Sequence, residues 1–506
     1  MLVIAAGLCG LGEGAALYGT EDASDLGELK KALRDPWPDT RRRAVRKLVR
    51  VGSEKAWELV IGALEDRDPQ VADEAQLALA EIRAPRVLAR LLGREGLRGG
   101  KDAVRVRIAE ALGRVSMSVD GADLVRVLDP RAVEFTRYAL WSLERLVGSG
   151  YLTGDREALA RKVEGLLRPG RDPLLRADAL AALEALSARR AERHLRAGLE
   201  DREPEVRTAA LVLWSARDAP DGFGIAERLS ADPNPRVRRT AIGALARFGN
   251  RSALEVLVER LGQEPRQRLV EHLVGVLQDL TGMRYRSDPR PWLDLVRRLP
   301  ADWRAAPPPV PEPSSGEQRT VSGLAGLPLR SDRLCLLVDF SGSLWAEREA
   351  GRSRKELLDV EIRRLLEALP SDSEFNLMPY ASQPQPWSDS LVRAKPQAVR
   401  AAAREFESCT LTGRGNFWDA ALLALADPRV DSLVVVTDGA PTGGAHWNLD
   451  LMFELLVWEL RWRPVAVDAV LVDASERLRK HWADLAERTG GTCTSVDFGA
   501  SEVGER

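Results

Sequence analysis

One phrase recurs along the first half of this chain: an Asp/Pro turn, then Val or Leu, Arg, and a helical run of Ala and Leu. It reads DPWPDTRRRAVRKL from Asp35, DRDPQVADEAQLAL from Asp66, DPLLRADALAAL from Asp172, DREPEVRTAALVL from Asp201 and DPNPRVRRTAIGAL from Asp232. Pro38 to Pro69, Pro173 to Pro204 and Pro204 to Pro235 are each 31 residues apart. The 104 residues between Pro69 and Pro173 fit three looser units, one around Ala103 to Leu112 and another around Ala132 to Leu143. A unit of this length holds two short antiparallel helices, each with an apolar face that it cannot cover alone, so neighbours must stack. Asp is suited to cap the helix start, and Pro is tolerated in the first turn, where its missing N–H is not needed.

This pattern resembles the short HEAT-like repeats and implies an α-solenoid over residues 25–304, with LTGMRYRSDPRPWLDLVRRL from Leu280 as its terminal cap, closed by Trp292 and Val296. The resemblance implies a long curved surface that binds another protein, with a passive spacer as the plainer reading. Some HEAT-like proteins act on tetrapyrroles, so a lyase-like role for the repeats is a further alternative, which the fold alone does not license. The stretch 305–319, centred on AAPPPVPEPSSGEQ, is rich in Pro, Ser and charge and is expected to be a semi-extended linker.

A chain of 506 residues exceeds what one core supports, which agrees with two domains. Its 74 Lys plus Arg against 76 Asp plus Glu leave no whole-chain field to recruit nucleic acid or an anionic membrane. Runs such as Arg41 to Arg43 and Arg236 to Arg239 are read as solvated repeat faces. The four cysteines, Cys9, Cys335, Cys409 and Cys493, lack metal or redox spacing, and Cys335 reads as a core residue. Residues 1–24 form an apolar leader that lacks the basic start of a signal peptide; export to the periplasm, envelope or exterior and a cytoplasmic location both stay open. No segment reads as a stable membrane span, and residues 499–506 are expected to be a disordered tail.

After Arg333 the pattern changes. Short apolar runs, Leu334 to Val338, Phe375 to Tyr380, Ser432 to Val436 and Val467 to Val472, alternate with helical stretches at Arg354 to Leu369, Ala398 to Phe406, Leu449 to Leu460 and Arg477 to Glu487. Such alternation predicts a doubly wound, Rossmann-like α/β domain with a mostly parallel sheet, whose ligands bind beyond the carboxyl ends of the strands. At one such end stands Asp339-Phe340-Ser341-Gly342-Ser343, and at another Thr437-Asp438-Gly439.

The phrase D-x-S-x-S with a second acidic residue after a later strand resembles the von Willebrand factor A-like family, here over residues 320–498. The resemblance implies a metal-ion-dependent adhesion site for Mg²⁺ (or Mn²⁺). Ser341 and Ser343 would coordinate the ion directly, and Asp339 and Asp438 would act through water. A hard cation accepts such oxygens and few carboxylates, leaving it able to take an acidic group from a partner. The family's usual Thr is replaced: in Gly413-Arg414-Gly415-Asn416, Gly415 takes its place. Thr412 reaching inward, a water, or the Arg414 guanidinium in place of the cation are the three substitutes the sequence offers. A fold that keeps these oxygens as a metal-free network is the plainer reading.

Trp345, Arg414, Asn416 and Trp447 are the candidate ligand contacts around this anchor, while Trp418 and Trp447 are equally suited to start helices and pack inward. The four histidines, His194, His272, His446 and His481, have no metal spacing, and neither a nucleophile elbow nor a phosphate loop is present in the sequence. The sequence is therefore read as a non-enzymatic adhesion or scaffold protein, with an adaptor that delivers a partner to an ATP-driven machine as the alternative.

Overall fold

The computed structural model describes residues 23–217, 219–306, 319–321, 329–342 and 353–496. The leader, most of the expected linker and the expected tail lie outside them. The chain forms two compact units, Met1–Gly222 and Phe223–Arg506.

In the first unit the repeated prolines do what their chemistry allows: Pro38, Pro69, Pro173 and Pro204 each open a helix. The repeat aspartates divide their work in a way the sequence did not reveal. Asp172 caps its helix through Leu175 N at 2.9 Å. Asp35, Asp66 and Asp201 instead close a turn two residues ahead, accepting from the amides of Trp37, Asp68 and Glu203 at 2.8–3.0 Å. Arginine then ties repeat to repeat. The Arg41 guanidinium donates to the carbonyls of Asp35 and Pro36 in its own turn and pairs with Asp66 of the next one at 2.7 Å. Arg207 repeats the inward half of this device on Asp201 and Arg202. Deeper in the stack Arg137 and Asp178 pair at 2.7 Å with both side chains buried.

The second unit joins helices to a sheet. The helices that precede its sheet are Gly222–Leu229, Pro235–Phe248, Arg251–Leu261, Gln267–Thr281 and Pro289–Arg298. The last of these carries the predicted cap: Trp292 is fully buried, Val296 nearly so, and Trp292 Nε1 donates to Arg286 O at 2.7 Å.

The sheet has seven strands: β1 (Arg319–Val321), β2 (Arg333–Asp339), β3 (Glu374–Tyr380), β4 (Val392–Arg393), β5 (Ser432–Thr437), β6 (Ala466–Val472) and β7 (Cys493–Val496). Their order is β1-β7-β6-β5-β2-β3-β4, parallel throughout except for the β3/β4 edge pair. The inner strands are buried along their length, as their unbroken apolar runs require. Cys335 sits in this core, where burial pushes its thiol up to about 12. The helices Arg354–Glu367, Pro396–Ser408, Leu449–Leu460 and Glu476–Thr489 connect the strands.

Arginines on the repeat helices of this unit hold the amino end of the sheet. Arg236 donates to Val430 O at 3.0 Å and Arg239 to Thr489 O at 2.8 Å. Arg266 pairs with Asp332 at 2.9 Å and Arg268 with Asp468 at 3.3 Å. The run Arg236 to Arg239 is therefore not simply the solvated face expected of it: Arg236 is buried, because a parallel sheet leaves carbonyls and carboxylates at its amino rim that need donors. Burial without a full counter-charge lowers Arg239 to about 10, helped by the nearby charge of Arg268.

Asp431 stands at the same rim. Burial, with a contribution from Asp332, pushes its carboxyl up to about 6, against the hydrogen bond from Ser331 and the charges of Arg268 and Arg333. Its folded value lies above the unfolded one, so protonation favours the fold: the contribution is complete below about pH 4 and is lost as pH rises through about 6. Asp431→Asn is thus expected to raise stability by about 1–3 kcal/mol more at pH 8 than at pH 4. Denaturant midpoints at the two pH values check this, and equal shifts would refute it.

Candidate cation site at the carboxyl rim of the sheet

The chain runs from β2 to β3 on one side and returns on the other as β5, so a crevice opens at the carboxyl ends of β2 and β5. Asp339 is the last residue of β2, opposite Tyr380 of β3, and Thr437 ends β5. Asp339 is buried, and its carboxylate accepts from Ser341 N at 2.9 Å and from Thr437 Oγ1 at 2.9 Å. Burial raises its pKa to about 6, and the neighbouring Asp438 charge adds to that, while hydrogen bonds from the Ser341 amide, the Thr437 hydroxyl and the Ser341 hydroxyl oppose it. Among the described residues no cation pairs with Asp339. Tyr380, also buried, has its hydroxyl near Thr437 without a well-formed hydrogen bond, and burial followed by the Asp339 charge raises its pKa far above the usual phenol value.

Gly415 stands against this carboxylate. A Cβ there would lie 3.1 and 3.2 Å from the two Asp339 oxygens, so the backbone already fills the space beside them. The loop is fixed from both sides: Gly415 N donates to Thr442 Oγ1 at 3.0 Å, and the amides of Thr442 and Gly443 donate to Gly415 O.

Asn416, expected to contact a ligand, is buried and caps the helix Phe417–Ala424, accepting from Asp419 N and donating to Asp419 Oδ2 at 2.7 Å and to Ser382 O. It shapes the loop rather than facing solvent. Trp418 packs inward, edge-on to His446. Arg414 and Thr412 are exposed, and Thr412 borders a cleft of about 730 Å³ with Trp387, Phe406 and Cys409. Trp447 is half-buried. Ser343 and Trp345 lie outside the described residues.

Sequence reasoning missed the cation that does reach this rim. Arg354 opens the helix that follows β2, fixed there by a capping box in which Ser353 Oγ accepts from Glu356 N and Glu356 accepts from Ser353 N at 2.7 Å. Its guanidinium pairs with Asp438 Oδ2 at 2.7 Å and with Asp473 at 3.4 Å. The signal was an arginine in the first turn of a helix, where the macrodipole favours acids.

A hard divalent ion fits part of this set. The Asp339 carboxylate is buried, has no cationic partner among the described residues, and has Ser341 beside it. Gly415 supplies no side-chain oxygen, and Asp438 is already engaged by Arg354.

Residues 27–113 and 208–278 match HEAT repeats. Helical repeats of this kind present extended surfaces to protein partners. No curated protein matches the chain. Among solved structures it is similar to proximal thread matrix protein 1 from the mussel byssus (16% identity, TM-score 0.26, covering 33% of this chain and 42% of that one). It is also similar to a von Willebrand factor type A protein from Catenulispora acidiphila (14%, 0.26, 35% and 38%) and to Kap121p (15%, 0.33, 54% and 35%). The chain thus spans less than half the length of each of these three structures. No helix among the described residues is long and apolar enough to cross a membrane.

Proposed function

We propose that this chain is a non-enzymatic scaffold. The HEAT-like helices hold one protein partner, and a von Willebrand factor A-like domain captures an exposed acidic group of a second partner through Mg²⁺ (or Mn²⁺). In this reading Ser341 and Ser343 would bind the ion directly, Asp339 and Asp438 would act through water, and Thr412 would contribute after an inward shift of the loop before Gly415. The ion supplies an electrophilic seat for the partner's carboxylate, and the chain's own groups orient and charge-balance it.

The observation that carries this reading is the buried Asp339 carboxylate in the crevice between β2 and β5, which no cation among the described residues pairs with. A buried carboxylate without a cation is costly, and a divalent ion relieves that cost while leaving coordination positions for a visiting acid. The arginine-bound amino rim faces the other way, so the same domain has one end for the repeats and one for a partner.

Isothermal titration of the intact chain with Mg²⁺ tests this. Saturable binding is expected, weakened roughly 10–100-fold by Asp339→Asn with the circular dichroism spectrum unchanged. Identical titrations for both proteins would exclude the site.

A further inference from the structure

Arg354 sits where three observations meet. It is a cation in the first turn of a helix, against the local electrostatic preference, and a capping box holds it there. Its guanidinium spans two carboxylates from different strands: Asp438, directly after β5, and Asp473, directly after β6. Asp473 has φ of 51°, the one positive φ of a non-glycine residue among the described residues. Such left-handed backbone is tolerated by Asp but is uncommon, and it persists where surrounding contacts hold it. A breach of local preference on both sides of one ion pair points to a role for the pair beyond tying a helix to a sheet.

We infer that Arg354 is a built-in competitor of the divalent cation for Asp438, and that Asp473 is the second seat onto which its guanidinium retires when the cation binds. This rests on the reading of the rim as a divalent-cation site. With Arg354 on Asp438, the rim's second carboxylate is already neutralised, and of the described groups an incoming ion meets Asp339 and Ser341. When the ion recruits Asp438, the guanidinium keeps a carboxylate partner in Asp473, so the exchange strands no charge. The ion's affinity is therefore set low, and the site responds to what favours the exchanged state: a partner carboxylate that completes the ion's coordination. Cation and partner then bind with positive cooperativity, because each favours the same arrangement of Arg354.

The test is Mg²⁺ calorimetry on the full chain carrying Arg354→Gln, Arg354→Lys, Asp473→Asn and the Arg354→Gln/Asp473→Asn pair, each first checked for an unchanged melting transition. Arg354→Gln is expected to bind Mg²⁺ about tenfold more tightly than the unsubstituted protein, since a competing charge-assisted bond is removed. Arg354→Lys, which keeps the charge without the two-pronged geometry, falls between them. Asp473→Asn weakens binding several-fold when Arg354 is present and has no effect when residue 354 is Gln.

Equal or weaker Mg²⁺ binding by Arg354→Gln, with normal binding by the unsubstituted protein, overturns this inference and leaves the cation site standing. An Asp473→Asn effect of the same size in both backgrounds overturns the second seat. An absence of Mg²⁺ binding in every variant overturns the inference together with the cation reading.

Discussion

Arg268→Ala is expected to lower the stability of the second unit by about 3 kcal/mol. The Arg268 side chain is buried, pairs with Asp468 and donates to Gly490 O. Removing one partner of a buried pair typically costs about 3–5 kcal/mol, because the other is left uncompensated. Two features bring the estimate to the low end. Asp468 keeps hydrogen bonds from Thr492 N and Oγ1 at 2.9 and 3.0 Å. Arg239, still charged at neutral pH, is also relieved of a like charge that, after burial, helps depress it to about 10. The readout is a denaturation midpoint, and a double-mutant cycle with Asp468→Asn should give a coupling of about 1–3 kcal/mol. A coupling near zero would mean that the pair does not hold the helices to the sheet.

Trp292→Ala is expected to cost about 3–5 kcal/mol, the range for deleting a large buried aromatic. Trp292 is fully buried, meets Tyr285 edge-on with ring centroids 5.1 Å apart, and donates its indole N–H to Arg286 O. Its loss opens a cavity and leaves that carbonyl without its donor, so the helix Pro289–Arg298 should loosen from Arg251–Leu261. Trp292→Phe, which keeps most of the apolar area, should cost clearly less. Equal losses for the two would show that the indole N–H, rather than the filled volume, is what matters.

The parts of this architecture that depend on local chemistry were readable from sequence. Proline at a fixed interval marks helix starts because its ring suits only the first turn, and Pro38, Pro69, Pro173, Pro204 and Pro235 all stand there. The runs Leu334 to Val338 and Val467 to Val472 lie inside β2 and β6, since strands buried on both faces write themselves as unbroken apolar segments. Asp339 falls at a strand end for the same reason.

What escaped the sequence depends on contacts distant along the chain. Arg354 and Asp438 are 84 residues apart and meet only because β2 and β5 are neighbours in the sheet. Arg236 and Arg268 look like any charged helix positions until the amino rim of the sheet is placed against them. Asn416 carries an amide that serves equally well to cap a helix or to meet a ligand, and its capping role shows only in its bonds to Asp419 and Ser382. The edge strands β1 and β4, of three and two residues, are too short to carry a periodicity.

The most direct test of the cation site is a crystal of the intact chain grown with Mn²⁺, whose anomalous scattering locates the ion without reference to activity. A single anomalous peak is expected at the carboxyl rim of β2 and β5, within about 2.0–2.2 Å of the Ser341 hydroxyl oxygen and one water away from Asp339. A map with no peak there, or with Asp339 still bonded only to Ser341 and Thr437 at saturating Mn²⁺, would contradict the account.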